Sequence, residues 1–142
     1  MPFTGPADDL QAIRELLETY ADAVTQRDPS AWGATWAEDG HWAMPDYPEF
    51  PPQDGRENIV AMWVEAMKQY PGIMFVAWPG SIEVEGNRAT VRSYTSEIYD
   101  QGENTVRDRG LYEDECVKID GKWHFKVRSF RNIHKQIASK GC

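Results

Sequence analysis

Residues 105–134, TVRDRGLYEDECVKIDGKWHFKVRSFRNIH, contain two strand-like runs of residues on either side of Asp120-Gly121. An Asp-Gly pair between two such runs is a strong signal for a tight hairpin turn. The stretch therefore predicts two long antiparallel strands, at residues 105–119 and 122–134.

Two more strands precede this hairpin in the sequence. Residues 73–85 and 89–100 are strand-like runs separated by Gly86-Asn87, and residues 101–104 form a turn. Pro79-Gly80 interrupts the first run and predicts a bulge or bend, because proline cannot donate to a strand ladder. The second half of the chain is thus predicted to be a meander of four antiparallel strands.

The first half of the chain has mainly helical periodicity. Apolar residues recur at spacings of three and four from Leu10 to Val24, which predicts a long helix. Asp28-Pro29 is a helix start signal for a short second helix at residues 30–36.

A strand from His41 and a loop containing four prolines at residues 44–55 should follow. We expect this stiff loop to lie over the mouth of a cavity. Residues 56–70 predict a third helix, which Pro71-Gly72 ends. Three helices and a curved sheet define an α+β fold in which the helices cover one face.

The size and charge of the chain narrow the possible functions. Its 142 residues predict a single domain over residues 1–142, with a core at about 10–134. A net charge of −8 disfavours nucleic acid and membrane surfaces as partners.

The sequence has no apolar leader or spanning run, so we expect a cytoplasmic protein. Cys116 and Cys142 match no disulfide framework or metal spacing and are expected to be free thiols.

The order of several motifs resembles the nuclear transport factor two-like superfamily, and within it the SnoaL-like proteins. Their relatives include ketosteroid isomerase, scytalone dehydratase, the polyketide cyclases and hexachlorocyclohexane dehydrochlorinase. The resemblance implies a cone, in which a bent sheet wraps around the long first helix and encloses a pocket used without metal or organic cofactor. The motifs are Tyr20, WAEDGHW at 36–42, DGR at 54–56, GLYEDE at 110–115, and DGKW at 120–123 with Arg128.

The catalytic residues of three of these relatives, the isomerase, the dehydrochlorinase and the dehydratase, do not carry over to this sequence. The position of the isomerase's proton-shuttling aspartate reads Met44. The dehydrochlorinase and dehydratase types pair an aspartate with a histidine, and those positions read Thr25 and Val76. The reaction must therefore be argued from this chain's own residues.

Four polar residues are the catalytic candidates. Tyr20 lies in an apolar helix stripe, where its hydroxyl either packs in the core or donates to a ligand oxygen. Asp46 shares strand parity with Trp42 and would transfer a proton if it faces the cavity, although its surroundings also fit an exposed turn. Asp114 and Arg128 should pair across neighbouring strands, as a structural ion pair or as a catalytic one in which Arg128 holds a substrate oxygen.

The other expected pocket residues are mostly aromatic or methionine. Such walls suit a flat, hydrophobic, aromatic or polycyclic ligand. Two polar residues that share strand parity with Arg128 are placed near the pocket mouth. The full set is Trp36, Trp42, Met44, Trp63, Met67, Met74, Trp78, Tyr112, Asn132 and His134.

The last strand also bears on assembly. If Arg128 faces the pocket, alternation along a strand places Trp123, Phe125 and Val127 on the opposite face. Soluble monomers seldom expose such an apolar patch. We therefore expect a homo-oligomer, and a dimer rather than a trimer.

The favoured function is a cofactor-independent acid–base enzyme acting on a hydrophobic small molecule. It would be a dehydratase, an isomerase, a cyclase or another lyase. Two alternatives share the fold that the resemblance implies. One is a non-catalytic ligand-binding or protein-binding member, and the other is the small subunit of a ring-hydroxylating oxygenase.

Overall fold

The computed structural model describes residues 2–141, so Cys142 lies outside the described residues. Within this range the chain forms three helices, α1 (Ala7–Gln26), α2 (Pro29–Ala34) and α3 (Arg56–Met67). It also forms seven strands, which are β1 (Phe3–Thr4), β2 (Trp36–Ala43), β3 (Gln53–Asp54), β4 (Met74–Glu85), β5 (Arg88–Gln101), β6 (Asn104–Ile119) and β7 (Lys122–Ser139).

The seven strands form one mixed sheet in the order β1-β4-β5-β6-β7-β2-β3. Strands β4 to β7 are the predicted antiparallel meander, while β2 adds parallel to β7 and β1 parallel to β4. The register of β4 shifts between Pro79 and Ser81, where the sequence predicted a bulge or bend. The architecture is the expected α+β cone, a curved sheet around a long first helix.

Local sequence explains where the first two helices begin and how α1 packs. The apolar stripe of α1 is buried against β4 and β7, including Ile13, Leu17 and Tyr20. The Asp28 side chain caps α2 by accepting a hydrogen bond from the Ala31 N–H at 3.0 Å. None of the helices in residues 2–141 is long and apolar enough to cross a membrane.

The boundary between α2 and β2 differs from the sequence prediction. Trp36 begins β2 and pairs with Phe125 of β7, whereas it was expected to end the second helix. The Phe125 N–H donates to the Thr35 carbonyl at 2.8 Å, so sheet pairing takes over one residue after the helix. The two-residue strands β1 and β3 were not predicted, because runs this short carry no measurable periodicity.

Strand β7 contains a bulge at Lys126 that overturns the predicted exposed face. Glu115 pairs with Val127 but Cys116 pairs with Phe125, so Lys126 is an extra residue. The bulge reverses which alternate positions point inward. As a result Trp123 and Phe125 are 6% and 0% exposed, and both belong to the core. The expectation that they form an exposed apolar patch was wrong.

A different apolar patch lies on the outer face of the sheet. Met74, Val76 and Trp78 alternate along β4 and are 58%, 48% and 49% exposed. Their β5 partners are Ile98, Ser96 and Tyr94. We call the exposed set Met74, Val76 and Trp78 the outer patch.

Candidate functional site

A cavity lies between the inner face of the sheet, α1 and α3. It is lined mainly by aromatic and other apolar side chains, with two carboxyl groups among them. Its volume is about 70 Å³. The lining residues are Tyr20, Val24, Trp42, Met44, Tyr47, Phe50, Trp63, Ala66, Met67, Tyr70, Ile73, Phe75, Glu97, Asp108, Tyr112 and Phe130.

The cavity is smaller than the aromatic content of the sequence indicated. Pockets for drug-sized ligands usually span about 300–1,000 Å³. Here much of the aromatic volume packs against itself, since Trp32 stacks on Trp63 with ring centroids 4.6 Å apart. Trp42 and Tyr20 also contact Trp32, at 5.3 and 5.4 Å. The remaining space fits a ligand of about one ring.

The proline-containing loop covers the cavity, and we call residues 44–52 the cover loop. Met44, Tyr47 and Phe50 of this loop point into the cavity. The Asp46 carboxylate accepts a hydrogen bond from the Asn132 N–H at 2.9 Å, and the Asn132 amide donates to the Tyr47 hydroxyl at 3.0 Å. These contacts fasten the cover loop to β7.

Two tyrosine hydroxyls meet at the cavity wall. Tyr20 from α1 and Tyr112 from β6 lie 3.1 Å apart, oxygen to oxygen. The Arg128 guanidinium lies 4.4 and 3.6 Å from the centres of these two rings. Burial raises the pKa of both phenols, against the opposing effect of Arg128, so the pair is neutral and can donate a hydrogen bond.

Arg128 and Asp114 form the predicted ion pair, behind the tyrosines and not in the cavity wall. Arg128 Nε and Nη2 donate to the two carboxylate oxygens at 2.8 and 3.0 Å. Both side chains are almost fully buried. Burial raises the pKa of Asp114 and the adjacent guanidinium lowers it. Because two hydrogen bonds join its carboxylate to the guanidinium, Asp114 holds that guanidinium in place behind the two tyrosine rings.

A second polar cluster lies in the cavity wall and was not predicted. Glu97 of β5 and Asp108 of β6 are direct register partners, and both line the cavity. Lys135 of β7 lies 3.2 Å from Asp108 Oδ1 and donates to Oδ2 at 3.3 Å. The Thr95 hydroxyl donates to Glu97 at 3.1 Å. We call Glu97, Asp108 and Lys135 the carboxyl cluster.

The carboxyl cluster is electrostatically unusual. Burial, and after it the charge of Asp108, raise the pKa of Glu97 to about 8, against the opposing effects of Thr95 and Lys135. Glu97 is therefore a neutral acid at neutral pH. Asp108 is 3% exposed, and its Oδ1 atom has no hydrogen-bond partner among residues 2–141.

A second bulge in β7 explains why Lys135 was missed. Gly110 pairs with Asn132 but Arg109 pairs with His134, so Ile133 is an extra residue. The bulge moves Lys135 to the inner face opposite Asp108 and leaves His134 exposed. Asp108 itself shares parity with Tyr112 on β6, a signal that could have identified it.

The expected site residues fall into three groups. Six line the cavity, namely Tyr20, Trp42, Met44, Trp63, Met67 and Tyr112. Three are buried or fixed nearby without lining it, namely Trp36, Asp114 and Arg128. Five lie elsewhere, namely Asp46 and Asn132 at the cover loop, Met74 and Trp78 in the outer patch, and His134 on the surface.

Met74 and Trp78 correct the expected pocket list. In β4 the inward positions are Phe75 and Ala77, so strand alternation directs Met74 and Trp78 outward. Within residues 2–141 no three His, Cys, Asp or Glu side chains come together as a metal site.

A curved sheet that encloses a cavity against its first helix defines the nuclear transport factor two-like class of proteins. Comparison with protein families narrows this class. The SnoaL-like domain matches residues 6–129, and the chain belongs to this family. No curated protein sequence matches the chain.

Solved structures share the fold at low sequence identity. A protein from Novosphingobium aromaticivorans with the provisional name scytalone dehydratase is 24% identical, with a TM-score of 0.80 over 91% of this chain and 87% of its own. LinA is 15% identical, with a TM-score of 0.83 over 94% and 92%. The Kribbella flavida protein Kfla4162 is 14% identical, with a TM-score of 0.81 over 91% and 93%. At such identities the likeness describes the fold alone.

Proposed function

We propose that the chain is an acid–base enzyme, working without an organic cofactor, that acts on a small hydrophobic molecule of about one ring. The observation that carries this proposal is the Tyr20–Tyr112 hydroxyl pair in the wall of an aromatic cavity. A ligand carbonyl or phenol oxygen placed there would accept a hydrogen bond from a neutral phenol. Donors held in place inside an apolar site stabilise charge that develops on such an oxygen.

The buried cation behind the tyrosines supports the same role. Arg128 lies under both rings, so negative charge that develops on a ligand oxygen near Tyr20 is favoured. The Asp114 carboxylate fixes the guanidinium in place through two hydrogen bonds. Isomerisation, dehydration and cyclisation all pass through such an oxyanion when their first step removes a proton from the carbon next to a carbonyl.

Deuterium exchange tests this proposal without knowledge of the natural substrate. The protein should accelerate exchange between D₂O and the carbon next to the carbonyl of 3-cyclohexenone, cyclohexanone or acetophenone, as followed by NMR. Tyr20→Phe should slow this exchange by about 10²-fold, because it removes a donor but keeps the ring. Tyr94→Phe, on the outer face of the sheet, is the matched control and should leave the rate unchanged.

Two results would count against the proposed function. One is an exchange rate equal to that in buffer for all three ketones, and a chain that still bound them would then be a non-catalytic member of the family. The other is a Tyr20→Phe variant as active as the wild type.

We also propose a homodimer, formed through the outer patch. Its support is the exposure of Met74, Val76 and Trp78 along one strand of an open sheet, whose helices all pack on the opposite face. A second copy of the chain presents the same patch, so a two-fold axis would cover both at once. This proposal replaces the predicted interface at Trp123 and Phe125, which are buried.

Light scattering tests the dimer directly. The wild type should have about twice the chain mass of 16.2 kDa at micromolar concentration. Trp78→Glu should shift the mass to that of a single chain, since the new charge would be buried without a partner. The control is Ile119→Glu, at an exposed apolar residue outside the patch, which should remain dimeric. A wild-type chain that is monomeric would contradict the proposal.

A further inference from the structure

The carboxyl cluster places two carboxyl groups in the wall of the cavity and one cation, Lys135, beside Asp108. Glu97 and Asp108 face one another across β5 and β6, and both border the space that a ligand would occupy. Lys135 is within ion-pair distance of Asp108, and no other cation in residues 2–141 pairs with either carboxyl. One positive charge in an apolar cavity supports one ionised carboxylate, not two.

The hydrogen-bond pattern distinguishes the two carboxyl groups. Lys135 also contacts the Tyr99 hydroxyl at 3.2 Å, so two partners hold it beside Asp108. Asp108 Oδ1 lies 3.2 Å from Lys135 Nζ but accepts no hydrogen bond within residues 2–141, and Asp108 borders the cavity. Glu97 is fixed by a neutral hydroxyl, that of Thr95. The ionisable side chains that interact with Glu97 or share a pocket with it include Asp108, Lys135, Tyr47, Tyr70, Tyr99, Tyr112, Arg107 and Arg109.

We propose that Asp108 and Glu97 are the catalytic base and the catalytic acid of the cavity, with Lys135 as the residue that positions Asp108. This assignment rests on the proposed function and deepens it. The ligand class is a one-ring β,γ-unsaturated ketone, with a removable proton on the carbon between the carbonyl and the C=C bond. The carbonyl oxygen would lie at the tyrosine pair, and the carbon that loses its proton would lie beside Asp108.

The proton transfers balance over one cycle. Asp108 takes the proton from the carbon, the C–H electron pair forms a C=C bond, and the carbonyl oxygen becomes an enolate oxygen. Because the ketone has a C=C bond between its β- and γ-carbons, this enolate is a dienolate; Glu97 then gives its proton to the γ-carbon, which restores the carbonyl and moves the double bond next to it. Asp108 is now neutral and Glu97 ionised, and transfer of one proton from Asp108 to Glu97 restores both.

Thermal unfolding as a function of pH tests the state of Glu97 independently of any catalysis. The pKa of Glu97 is about 8 in the folded protein against an ordinary value of 4.5. Between these values the folded state holds a proton that the unfolded state has lost, so stability should fall as pH rises and level off above about 8. Glu97→Gln should flatten this fall. Glu83→Gln, on the outer face of β4, is the matched control and should keep it.

Deuterium exchange then tests the two roles, with the one-ring ketone acetophenone as the probe. Asp108→Asn should slow exchange by about 10²-fold or more while acetophenone still quenches tryptophan fluorescence. Lys135→Met should shift the pH profile of exchange, an effect that loss of packing alone would not produce. Glu97→Gln should still exchange the first proton of 3-cyclohexenone but should no longer move its double bond into conjugation with the carbonyl.

The outcomes separate this inference from the proposed function. If the wild type accelerates exchange and Asp108→Asn does so equally, the catalytic assignment is overturned and the proposed function stands. If the wild type does not accelerate exchange, the proposed function fails. Identical pH profiles of unfolding for the wild type and Glu97→Gln would overturn the assignment of Glu97 as a neutral acid, whatever the exchange experiments show.

Discussion

Arg128→Met should lower the free energy of unfolding by about 3–5 kcal/mol, because it leaves the Asp114 carboxylate buried without its counter-charge. Asp114→Asn should be costly for the same reason. The double variant should cost less than either single change, since neither charge then remains. Chemical denaturation of the four proteins gives the coupling free energy of the pair.

An exposed ion pair of the same chain is the control for this cycle. Lys68 and Glu65 lie 2.8 Å apart on the surface at the C-terminal end of α3. Glu65→Gln should change the free energy of unfolding by about 0.5 kcal/mol or less, because water screens the pair. A coupling near zero for Arg128 and Asp114 would show that the two buried charges do not depend on one another.

Trp32→Ala should also be strongly destabilising, by about 3–5 kcal/mol. Trp32 is fully buried and contacts Tyr20, Trp36, Trp42 and Trp63. Its removal leaves a void beside the cavity wall that the neighbouring rings cannot fill. The change is measured by chemical denaturation, as for the ion pair.

Trp78→Ala is the matched control, since it removes the same side chain from the outer patch. Trp78 is 49% exposed, so at a protein concentration low enough to dissociate the proposed dimer the loss should be below about 1 kcal/mol. Equal losses for the two variants would contradict the assignment of Trp32 to the core and of Trp78 to the surface.

Strong periodic signals made most of the fold predictable. The spacing of apolar residues in α1 and the alternation in β4 to β7 set helix and strand identity over more than half of the chain. Tyr20, Trp42, Trp63 and Met67 could likewise be placed in the cavity, because they lie on regular elements or in motifs of the resemblance. Regular periodicity fixes side-chain direction in such segments.

The bulges of β7 explain most of what the sequence did not predict. Lys126 and Ile133 each add one residue without any glycine or proline to signal it. Strand parity counted through them assigned Phe125 to the surface and His134 to the cavity. Strand alternation alone could have placed Asp108 in the cavity, but placing its partner Lys135 requires knowledge of the bulge. The role of Asp108 depends on that partner.

Strand β7 therefore changes phase twice along its length. Its two added residues allow Phe125, Arg128 and Lys135 to point to the same inner face, although simple alternation along the strand would not place all three on one face. Deletion of Lys126 or Ile133 would reverse the orientation of the strand's side chains, because every side chain beyond the deletion would turn to the other side of the sheet. In this strand, the number of residues between two positions, as well as their identity, determines which side chains reach the cavity.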